Sequence, residues 1–415
     1  MFSTFALLAV LSAGVPQGVP EMDLLIRAKT LYVGDGRVLN DVVIGASGGK
    51  IVFVGSSAPA GSAPKETLEF ADLHVTPGFV EGSTYAGLPR GASENEEGVE
   101  TTPEFRISDA VDTSDDAFDR LLDVGVTTAV VVPGKRNVFG GLSAALKPRA
   151  GGLKEKLLRN DVSSLAVADR DPTAGNSPPG RGFFSRSGPG LFNRRPSTRM
   201  GVVFELRRGL QEGAGRNSGA GWTALYPEPA GLALARAARG EIPFAFIASN
   251  STDALAAIRI AEEFGVKNYY LQDAGEAAFV AGKLASKKIG ALIGPASFQA
   301  FSTSEGARSA LMNAPRVLAD AGVTFGLSRG GAQDGSTLRD FAIAAHRGGL
   351  KPGRAVAAVT GDPAKITGLA DRVGQVAVGL DADLLLFEGD PLAPSSRLAA
   401  VVLDGKVVRR AVPRN

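Results

Sequence analysis

The sequence predicts an α/β protein: a (β/α)8 barrel of the TIM type with a small β-sandwich domain formed by both chain termini. Three observations support this prediction. Strand-like and helix-like segments alternate through the long middle of the chain, and short β-rich segments occur at both of its ends. The length of 415 residues accommodates a barrel of ordinary size together with a modest second domain.

The two ends of the chain have the pattern of small antiparallel strands. Residues 21–75 contain short β-branched runs separated by Gly and Asp turns, and residues 371–415 repeat this pattern with a turn at Asp404-Gly405. We therefore expect these two ranges to form one composite β-sandwich domain. The barrel then comprises residues 76–370, whose strand–helix alternation favours this assignment.

The middle of the chain contains the elements of the barrel and one exception. Residues 171–199 are rich in Gly, Pro, Ser and Arg, which predicts a long exposed loop. Such a basic loop with aromatic residues could bind an anionic partner, although a solvated insertion is the simpler interpretation. The predicted strands lie near residues 127–132, 244–247, 269–271, 291–293 and 324–327, and the predicted helices near residues 252–264, 276–286 and 338–346.

Residues 1–20 resemble a secretory signal peptide. A short apolar run is followed by small residues and prolines, although no Lys or Arg precedes the run. We expect an exported protein, either periplasmic or extracellular; a buried N-terminal strand or helix is the alternative. The apolar run is too short to span a bilayer, and no other segment predicts a transmembrane span.

Composition excludes several classes of function. The formal net charge is +2, so no global field indicates a nucleic acid partner. The absence of cysteine excludes disulfides, thiolate metal sites and a cysteine nucleophile. Only two histidines are present, His74 and His346. A histidine-rich zinc site would need both of them in one place.

Several motifs carry a resemblance to a known family. Residues 75–88, which include Thr-Pro-Gly-Phe-Val-Glu, resemble the entry to the barrel of metal-dependent amidohydrolases. Residues 360–384 and 389–392 resemble the closing signature of that superfamily. Residues 196–202 and the pair Gly140-Gly141 are similar to its imidazolonepropionase-like branch. The resemblance extends over about residues 22–412 and implies the barrel and the small second domain.

The resemblance also implies a catalytic site that this sequence alters. In such enzymes zinc at the carboxyl ends of the barrel strands activates a water molecule, and an Asp after the last strand takes the proton. The first strand supplies a His-x-His pair, because residues two apart point to the same side of a strand. The corresponding positions here are Ser83 and Tyr85 for the pair, Asn250 and Gln272 near the expected histidines, and Arg329 for the Asp.

These replacements predict the loss of the metal. Neutral Ser is a poor zinc ligand, and Tyr must lose a proton near pKa 10 to become a good one. Arg329 carries a fixed positive charge and cannot act as a base. His74 precedes the first barrel strand and His346 lies on an outer helix, so neither restores the site. We expect no zinc or other cofactor, with an oxygen-ligand site for Mg or Ca at the acids Glu81, Asp273 and Glu276 as the alternative.

The sequence therefore favours a degenerate amidohydrolase-family protein that acts as an exported binding or scaffold protein. The alternative is a hydrolase of non-peptide carbon–nitrogen bonds with an atypical site, and a third possibility is a subunit of an active paralogue or a homo-oligomer. We expect the vestigial site to bind a small anion or an acidic partner segment, unless Arg329 pairs internally with Asp273 or Glu276. The predicted ligand-binding residues are Ser83, Tyr85, Asn250, Gln272, Asp273, Glu276 and Arg329.

Overall fold

The computed structural model describes most of the chain. The predicted signal peptide at residues 1–20, and residues 174–194 of the predicted loop, lie outside the described residues. Among the described residues no helix is long and apolar enough to cross a membrane. The described residues are 21–69, 72–88, 96, 98–173, 195–219, 222–294, 313–330 and 336–410.

Among the described residues, strands and helices alternate through the middle of the chain, and residues 24–84 and 384–410 contain strands without helices. The strands are β1 (Leu24–Tyr32), β2 (Val38–Ser47), β3 (Lys50–Gly55), β4 (Glu66–Glu69), β5 (Leu73–Pro77), β6 (Phe79–Thr84), β7 (Val126–Val131), β8 (Phe139–Leu142), β9 (Ala144–Leu146), β10 (Leu157–Arg159), β11 (Ser164–Val167), β12 (Phe244–Ile247), β13 (Tyr269–Gln272), β14 (Gly290–Ile293), β15 (Phe325–Leu327), β16 (Leu384–Glu388), β17 (Arg397–Leu403) and β18 (Lys406–Arg410). The helices are α1 (Ala117–Asp123), α2 (Leu153–Lys156), α3 (Arg199–Ser218), α4 (Glu228–Ala238), α5 (Ser251–Glu263), α6 (Ala281–Lys287), α7 (Ala314–Asp320), α8 (Leu338–Arg347), α9 (Pro352–Ala357) and α10 (Gly361–Ile366).

The terminal strands form one hydrogen-bonded sheet, which we call the terminal sheet. Its order is β18-β17-β16-β5-β1-β2-β3, and β4 also pairs with β1. The sequence predicts a sandwich, but the described strands share one continuous hydrogen-bonded network. The reason is the length of β1, which pairs with β2 on one side and with β4 and then β5 on the other. Strand β5 pairs in turn with β16, so the sheet combines both ends of the chain.

The central strands are buried and mostly parallel. Strand β6 pairs in parallel with β7, and strands β11 to β15 pair in parallel in sequence order. Every residue of β7 is buried, as expected for a strand covered on both faces. The molecule therefore has the mixed α/β architecture that the sequence predicts.

One central segment runs against its neighbours. Strand β9 is antiparallel to β7, and β8 is antiparallel to β11. A regular (β/α)8 barrel has parallel strands throughout, so this segment departs from the predicted pattern. The connection from β7 to its partner β9 spans residues 132–143 and contains β8 but no helix. A parallel partner usually requires a crossover helix, and β9 returns antiparallel without one.

The edges of β6 and β15 are bridged by a short segment before α10. The amide of Leu327 donates to the carbonyl of Ala358 at 2.7 Å, and the amide of Val80 donates to the carbonyl of Val359 at 2.9 Å. The two strands that begin and end the parallel series are thus connected through backbone hydrogen bonds to residues 358–359.

A buried ion cluster connects the terminal sheet to the end of β9. We call it the junction cluster and define it by Lys147, Asp381, Asp383 and Asp404. The side chain of Lys147 is fully buried, and its ammonium group lies 2.7 Å from Asp381, 2.8 Å from Asp383 and 2.6 Å from Asp404. Asp381 also accepts hydrogen bonds from the guanidinium of Arg372 at 2.9 and 3.0 Å. Because each charge has a partner, the cluster can remain ionised away from water.

Helix boundaries agree with the sequence at α5 and α8 and differ at two other places. The predicted helix near residues 276–286 begins as a 3₁₀ turn, Ala277–Val280, before α6. The predicted loop ends at Thr198 rather than Arg199. The Thr198 side chain accepts a hydrogen bond from the amide of Gly201 at 3.1 Å, which caps α3.

Candidate functional site

The carboxyl ends of the parallel strands form one polar edge, which we call the mouth. Six strands contribute side chains near or after their carboxyl ends, namely β6, β7, β11, β12, β13 and β15. They can do so because parallel strands all end on the same side of the molecule. The sequence identifies some of these residues and misses others. The mouth consists of Glu81, Ser83, Tyr85, Lys135, Asp169, Ser249, Gln272, Asp273, Ser328 and Arg329.

Glu81 on β6 is fully enclosed by hydrogen-bond donors. Its carboxylate accepts from the hydroxyl of Ser328 at 2.5 Å, from the amide of Arg329 at 3.1 and 3.2 Å and from the amide of Ser83 at 3.3 Å. Burial raises the pKa of Glu81 to about 7, and these hydrogen bonds oppose that rise. The sequence places Glu81 near the site, but its partner Ser328 is not among the predicted site residues.

Ser83 and Gln272 form a direct contact between β6 and β13. Both side chains are buried, and the amide nitrogen of Gln272 donates to the Ser83 hydroxyl at 3.1 Å. These residues occupy positions where the resemblance implies histidines. Tyr85, the other position of the predicted pair, is partly buried and packs against the central hydrophobic core. The space of the expected metal ligands is thus occupied by neutral groups, two of which bond to each other.

Lys135 and Asp273 form an ion pair across the mouth. Burial disfavours the charge of Lys135, but the attraction of Asp273 outweighs it and raises the lysine pKa. Asp273 has a positive φ of 52°, a left-handed conformation that Asp adopts more readily than most residues. Lys135 is absent from the predicted site residues, although its position just after an apolar strand and a Pro-Gly turn could have indicated a role in the site.

Asp169 follows β11 and is a second buried carboxylate. It accepts hydrogen bonds from the Ser249 hydroxyl and from the amide of Asp171, both at 2.8 Å. Burial raises the pKa of Asp169 to about 6. Asp169 is absent from the predicted site residues because β11 is not among the predicted strands. The short apolar run Ser164–Val167, followed by an acid, is the signal that could have revealed it.

Two predicted site residues belong to the N-terminus of α5 instead. The Asn250 side chain accepts from the amide of Asp253 at 3.0 Å and donates to its carboxylate at 2.6 Å. The Glu276 carboxylate accepts from the amide of Ser251 at 2.8 Å. Both side chains therefore satisfy backbone groups of the first helical turn, and we do not include them in the mouth.

The acids proposed as internal partners of Arg329 have other contacts. Asp273 pairs with Lys135, and Glu276 bonds to α5. The positive charge of Arg329 lowers the pKa of Glu81, in opposition to the effect of burial, which raises it. Arg329 is partly buried at the end of β15 and brings a guanidinium group to the mouth.

The two histidines lie outside the mouth, as predicted. His74 is in β5, and its Nε2 lies 3.5 Å from the carboxylate of Asp72. Nδ1 of His346, at the end of α8, lies 2.8 Å from the carbonyl oxygen of Leu350. Each ring has a local structural contact, so the two histidines play no part in the mouth.

The residues of the mouth do not fit a zinc ion. Zinc prefers imidazole, thiolate or carboxylate ligands in a tetrahedral arrangement. Among the described residues no group of three or more His, Asp or Glu side chains has the arrangement of a metal site. The carboxylate of Glu81 is already enclosed by donors, and that of Asp273 is paired with a lysine. We therefore assign no chemical step to a metal.

Comparisons with known proteins agree with the architecture. The model of the family described as "Amidohydrolase family" matches residues 233–408. An amidohydrolase from Thermotoga maritima has 27% sequence identity and a TM-score of 0.77, with 94% of this chain and 100% of that chain covered. The Aspergillus niger ochratoxinase structure has 18% identity and a TM-score of 0.55, with 94% and 96% covered, and shows a shared fold only.

A curated protein supports the same relationship. The amidohydrolase tasK of Hapsidospora irregularis is 24% identical over 394 residues, which cover 88% of this chain and 39% of that protein. This chain thus spans about two fifths of the length of that relative. Together with the family match and the Thermotoga structure, these findings support a relationship between this chain and the amidohydrolase superfamily.

Proposed function

We propose that this protein is a degenerate amidohydrolase whose barrel mouth binds a small anion without metal-dependent hydrolysis. The observation that carries the proposal is the enclosure of Glu81 by Ser328, Arg329 and Ser83. Together with the Ser83–Gln272 hydrogen bond, these contacts connect three strands at positions where the resemblance implies metal ligands. Function depends on such a site rather than on the fold.

The proposal includes a complete (β/α)8-type barrel with a composite second domain. The bridge through Ala358 and Val359 supports closure of the barrel, since it connects β6 to β15. The terminal sheet, built from both ends of the chain, supports the composite domain.

An anionic ligand is supported by the two cations of the mouth. Lys135 follows β7 and Arg329 follows β15, and both are partly exposed. A guanidinium group binds carboxylate or phosphate in a planar, bidentate manner, and an ammonium group adds a point charge.

Metal analysis tests the loss of hydrolysis. Protein purified without chelator is analysed by elemental mass spectrometry, and turnover of N-acyl amino acids and cyclic amides is measured with and without added zinc. We expect far less than one zinc per chain and no zinc-dependent turnover. Near-stoichiometric metal that disappears in Glu81→Gln or Asp273→Asn would contradict the proposal.

Thermal-shift measurements with small carboxylates and phosphates test the anion site. We expect at least one of these anions to stabilise the wild type and to lose its effect in Arg329→Ala. Arg347→Ala is the matched control, because Arg347 is an exposed arginine at the end of α8. If no anion stabilises the wild type and Arg329→Ala lowers stability without a ligand, the arginine is structural and the proposal fails.

A hydrolase of carbon–nitrogen bonds with an atypical site is the second candidate. It is favoured by Glu81 and Asp169, whose pKa values of about 7 and about 6 suit general acid–base catalysis near neutral pH. Metal-free turnover with a pH profile that loses one limb in Glu81→Gln or Asp169→Asn would favour this candidate. Unchanged background hydrolysis in both variants would exclude it.

An exported location and an oligomeric role are further parts of the proposal. The sequence of residues 1–20 supports export. Fractionation of the native source, with N-terminal sequencing of the recovered protein, tests it. Purification from that source also tests for a paralogous subunit or self-association.

A further inference from the structure

A groove between α3 and α5 lies on the surface of the molecule, and none of the mouth residues lines it. Its volume is about 580 Å³. The lining residues recur at helical spacing, so each helix presents one face to the groove. The central ones are Met200, Val203 and Arg207 from α3 and Leu255, Ala256 and Arg259 from α5.

The groove exposes large apolar side chains next to one another. Met200 and Leu255, which line the groove, are 80% and 43% exposed, and Phe204, one turn after Met200 but outside the groove lining, is 59% exposed. Val203 and the small, buried Ala256 lie at the base of the groove. Contiguous exposed apolar surface of this kind marks interaction sites more often than scattered single residues do. Methionine in particular adapts to different apolar partners.

The edges of the groove are basic. Arg199 lies 2.6 Å from Asp253, and Arg207 lies 2.9 Å from Glu263, yet 37% and 39% of their side chains remain exposed. Arg259 is exposed, and within the described part of the chain it has no recorded ion pair. The groove therefore combines an apolar base with an edge whose net positive charge comes from Arg259, since Arg199 and Arg207 are paired with acids.

We propose that this groove binds an amphipathic acidic helix of a partner protein. The apolar face of such a helix would cover Met200 and Leu255, and its flanking carboxylates would meet Arg207 and Arg259. A second copy of this chain is disfavoured because a symmetric contact would oppose arginines to arginines. A lipid surface is disfavoured because the apolar groups line a groove between helices rather than protrude from one convex face.

The experiment uses a designed helical peptide as the probe and the full chain as the receptor. The peptide has about 20 residues, with Leu at helical spacing and Glu on both flanks of the apolar face. A second peptide carries Lys in place of Glu. Fluorescence anisotropy of the labelled peptides gives the affinities. We expect the acidic peptide to bind with a Kd on the order of 1–100 µM, more weakly at high salt, and the basic peptide not to bind.

Variants locate the binding. Leu255→Asp and Arg259→Glu should each weaken binding about tenfold, which corresponds to about 1.4 kcal/mol. Both positions are exposed, so the fold should survive, and circular dichroism checks this. Lys406→Glu is the matched control, because it makes the same charge change at an exposed position of the terminal sheet. Its affinity should equal that of the wild type.

Four results would overturn the proposal. The first is no binding, or equal binding of the acidic and basic peptides. The second is binding that Leu255→Asp and Arg259→Glu leave unchanged. The third is binding to phosphatidylglycerol vesicles that Leu255→Asp abolishes, which would assign the surface to a membrane. The fourth is peptide binding that appears only after deletion of residues 176–192, which would show that this chain covers its own groove.

Discussion

Glu81 in the mouth and Asp381 in the junction cluster are equally buried, with 1% and 3% of their surfaces exposed, yet their pKa values move in opposite directions. Burial raises the pKa of Glu81 to about 7 because its closest partners are two neutral amides and a hydroxyl. Burial has the same tendency at Asp381, but hydrogen bonds from Arg372, Lys147 and Lys50 outweigh it and hold the pKa well below its usual range.

The comparison shows that the partners of a carboxylate, and not its burial alone, decide its charge. Asp383 makes the same point within the junction cluster. It has Lys147 as its cation and is repelled by Asp404, so burial prevails and its pKa is raised. In the junction cluster it is Asp381 that keeps its negative charge, and its contact with Lys147 connects two parts of the chain. The mouth supplies carboxylates whose charge changes near neutral pH.

The largest expected effect is at Lys147. Lys147→Met leaves three carboxylates without their buried cation and should lower the free energy of unfolding by about 3–5 kcal/mol. Chemical denaturation measures the loss. Lys154→Met, at an exposed position of α2, is the matched control and should change stability by less than about 0.5 kcal/mol. A loss at Lys147 below about 1 kcal/mol would show that the cluster is not a stabilising connection.

The next effect is a pH dependence at Glu81. Its pKa is raised from 4.5 to about 7, so its contribution to stability is fully present below pH 4.5 and is lost as the pH rises through 7. The difference in unfolding free energy between wild type and Glu81→Gln should therefore change by up to about 3 kcal/mol across this range. Glu69→Gln, at an exposed position of β4, is the control. A constant difference between wild type and Glu81→Gln would mean that the carboxylate titrates normally.

A smaller effect is expected at Ser83. Ser83→Ala removes the acceptor for the buried amide of Gln272 and should cost about 1–2 kcal/mol. Ser83→Ala combined with Gln272→Leu should recover part of the loss, because neither polar partner then remains buried. Thermal unfolding of the two variants measures both effects. Additive losses would show that the hydrogen bond between β6 and β13 contributes little.

The smallest effect is expected at Arg409, which also connects the terminal sheet to the rest of the molecule. It pairs with Asp123 at 2.9 Å and with Asp119, both on α1 and both well exposed. Arg409→Ala should change stability by less than about 1 kcal/mol, with the difference reduced further by salt. If Arg409→Ala lowered the free energy of unfolding as much as Lys147→Met, the burial of an ion pair would not determine how strongly it connects the terminal sheet to the rest of the molecule.

The sequence predicts helices α5, α6 and α8 and the altered first-strand positions, because these depend on local patterns, but it does not predict the long helix α3. Helix α5 and the placement of Ser83 follow from periodicity and a motif. The pairing of Lys135 with Asp273 does not, because the two residues are distant in the chain and meet only when the strands assemble. The antiparallel direction of β8 and β9 could not be predicted from the sequence either, because a hydrophobic pattern can indicate a strand but not its orientation.

The assignment of Asn250 and Glu276 illustrates a different limit. Both follow strands that the sequence predicts correctly, but a residue after a strand either points into the mouth or caps the next helix. The choice depends on the exact start of α5, and element boundaries are the least certain part of such predictions. Ser251 is the first residue of that helix, which makes Asn250 its cap.

The pairing of β5 with β16 means that the terminal sheet cannot be completed until late in the synthesis of this protein. Pro77 pairs with Leu384, so the N-terminal half of the terminal sheet leaves the ribosome long before its partner exists. At about 5–20 residues per second, the roughly 300 intervening residues take about 15–60 s to translate. During that time the edge of β5 remains open to other strands. We therefore expect nascent chains of this protein to depend on chaperones until β16 is made, and ribosome-bound intermediates to be its most aggregation-prone form.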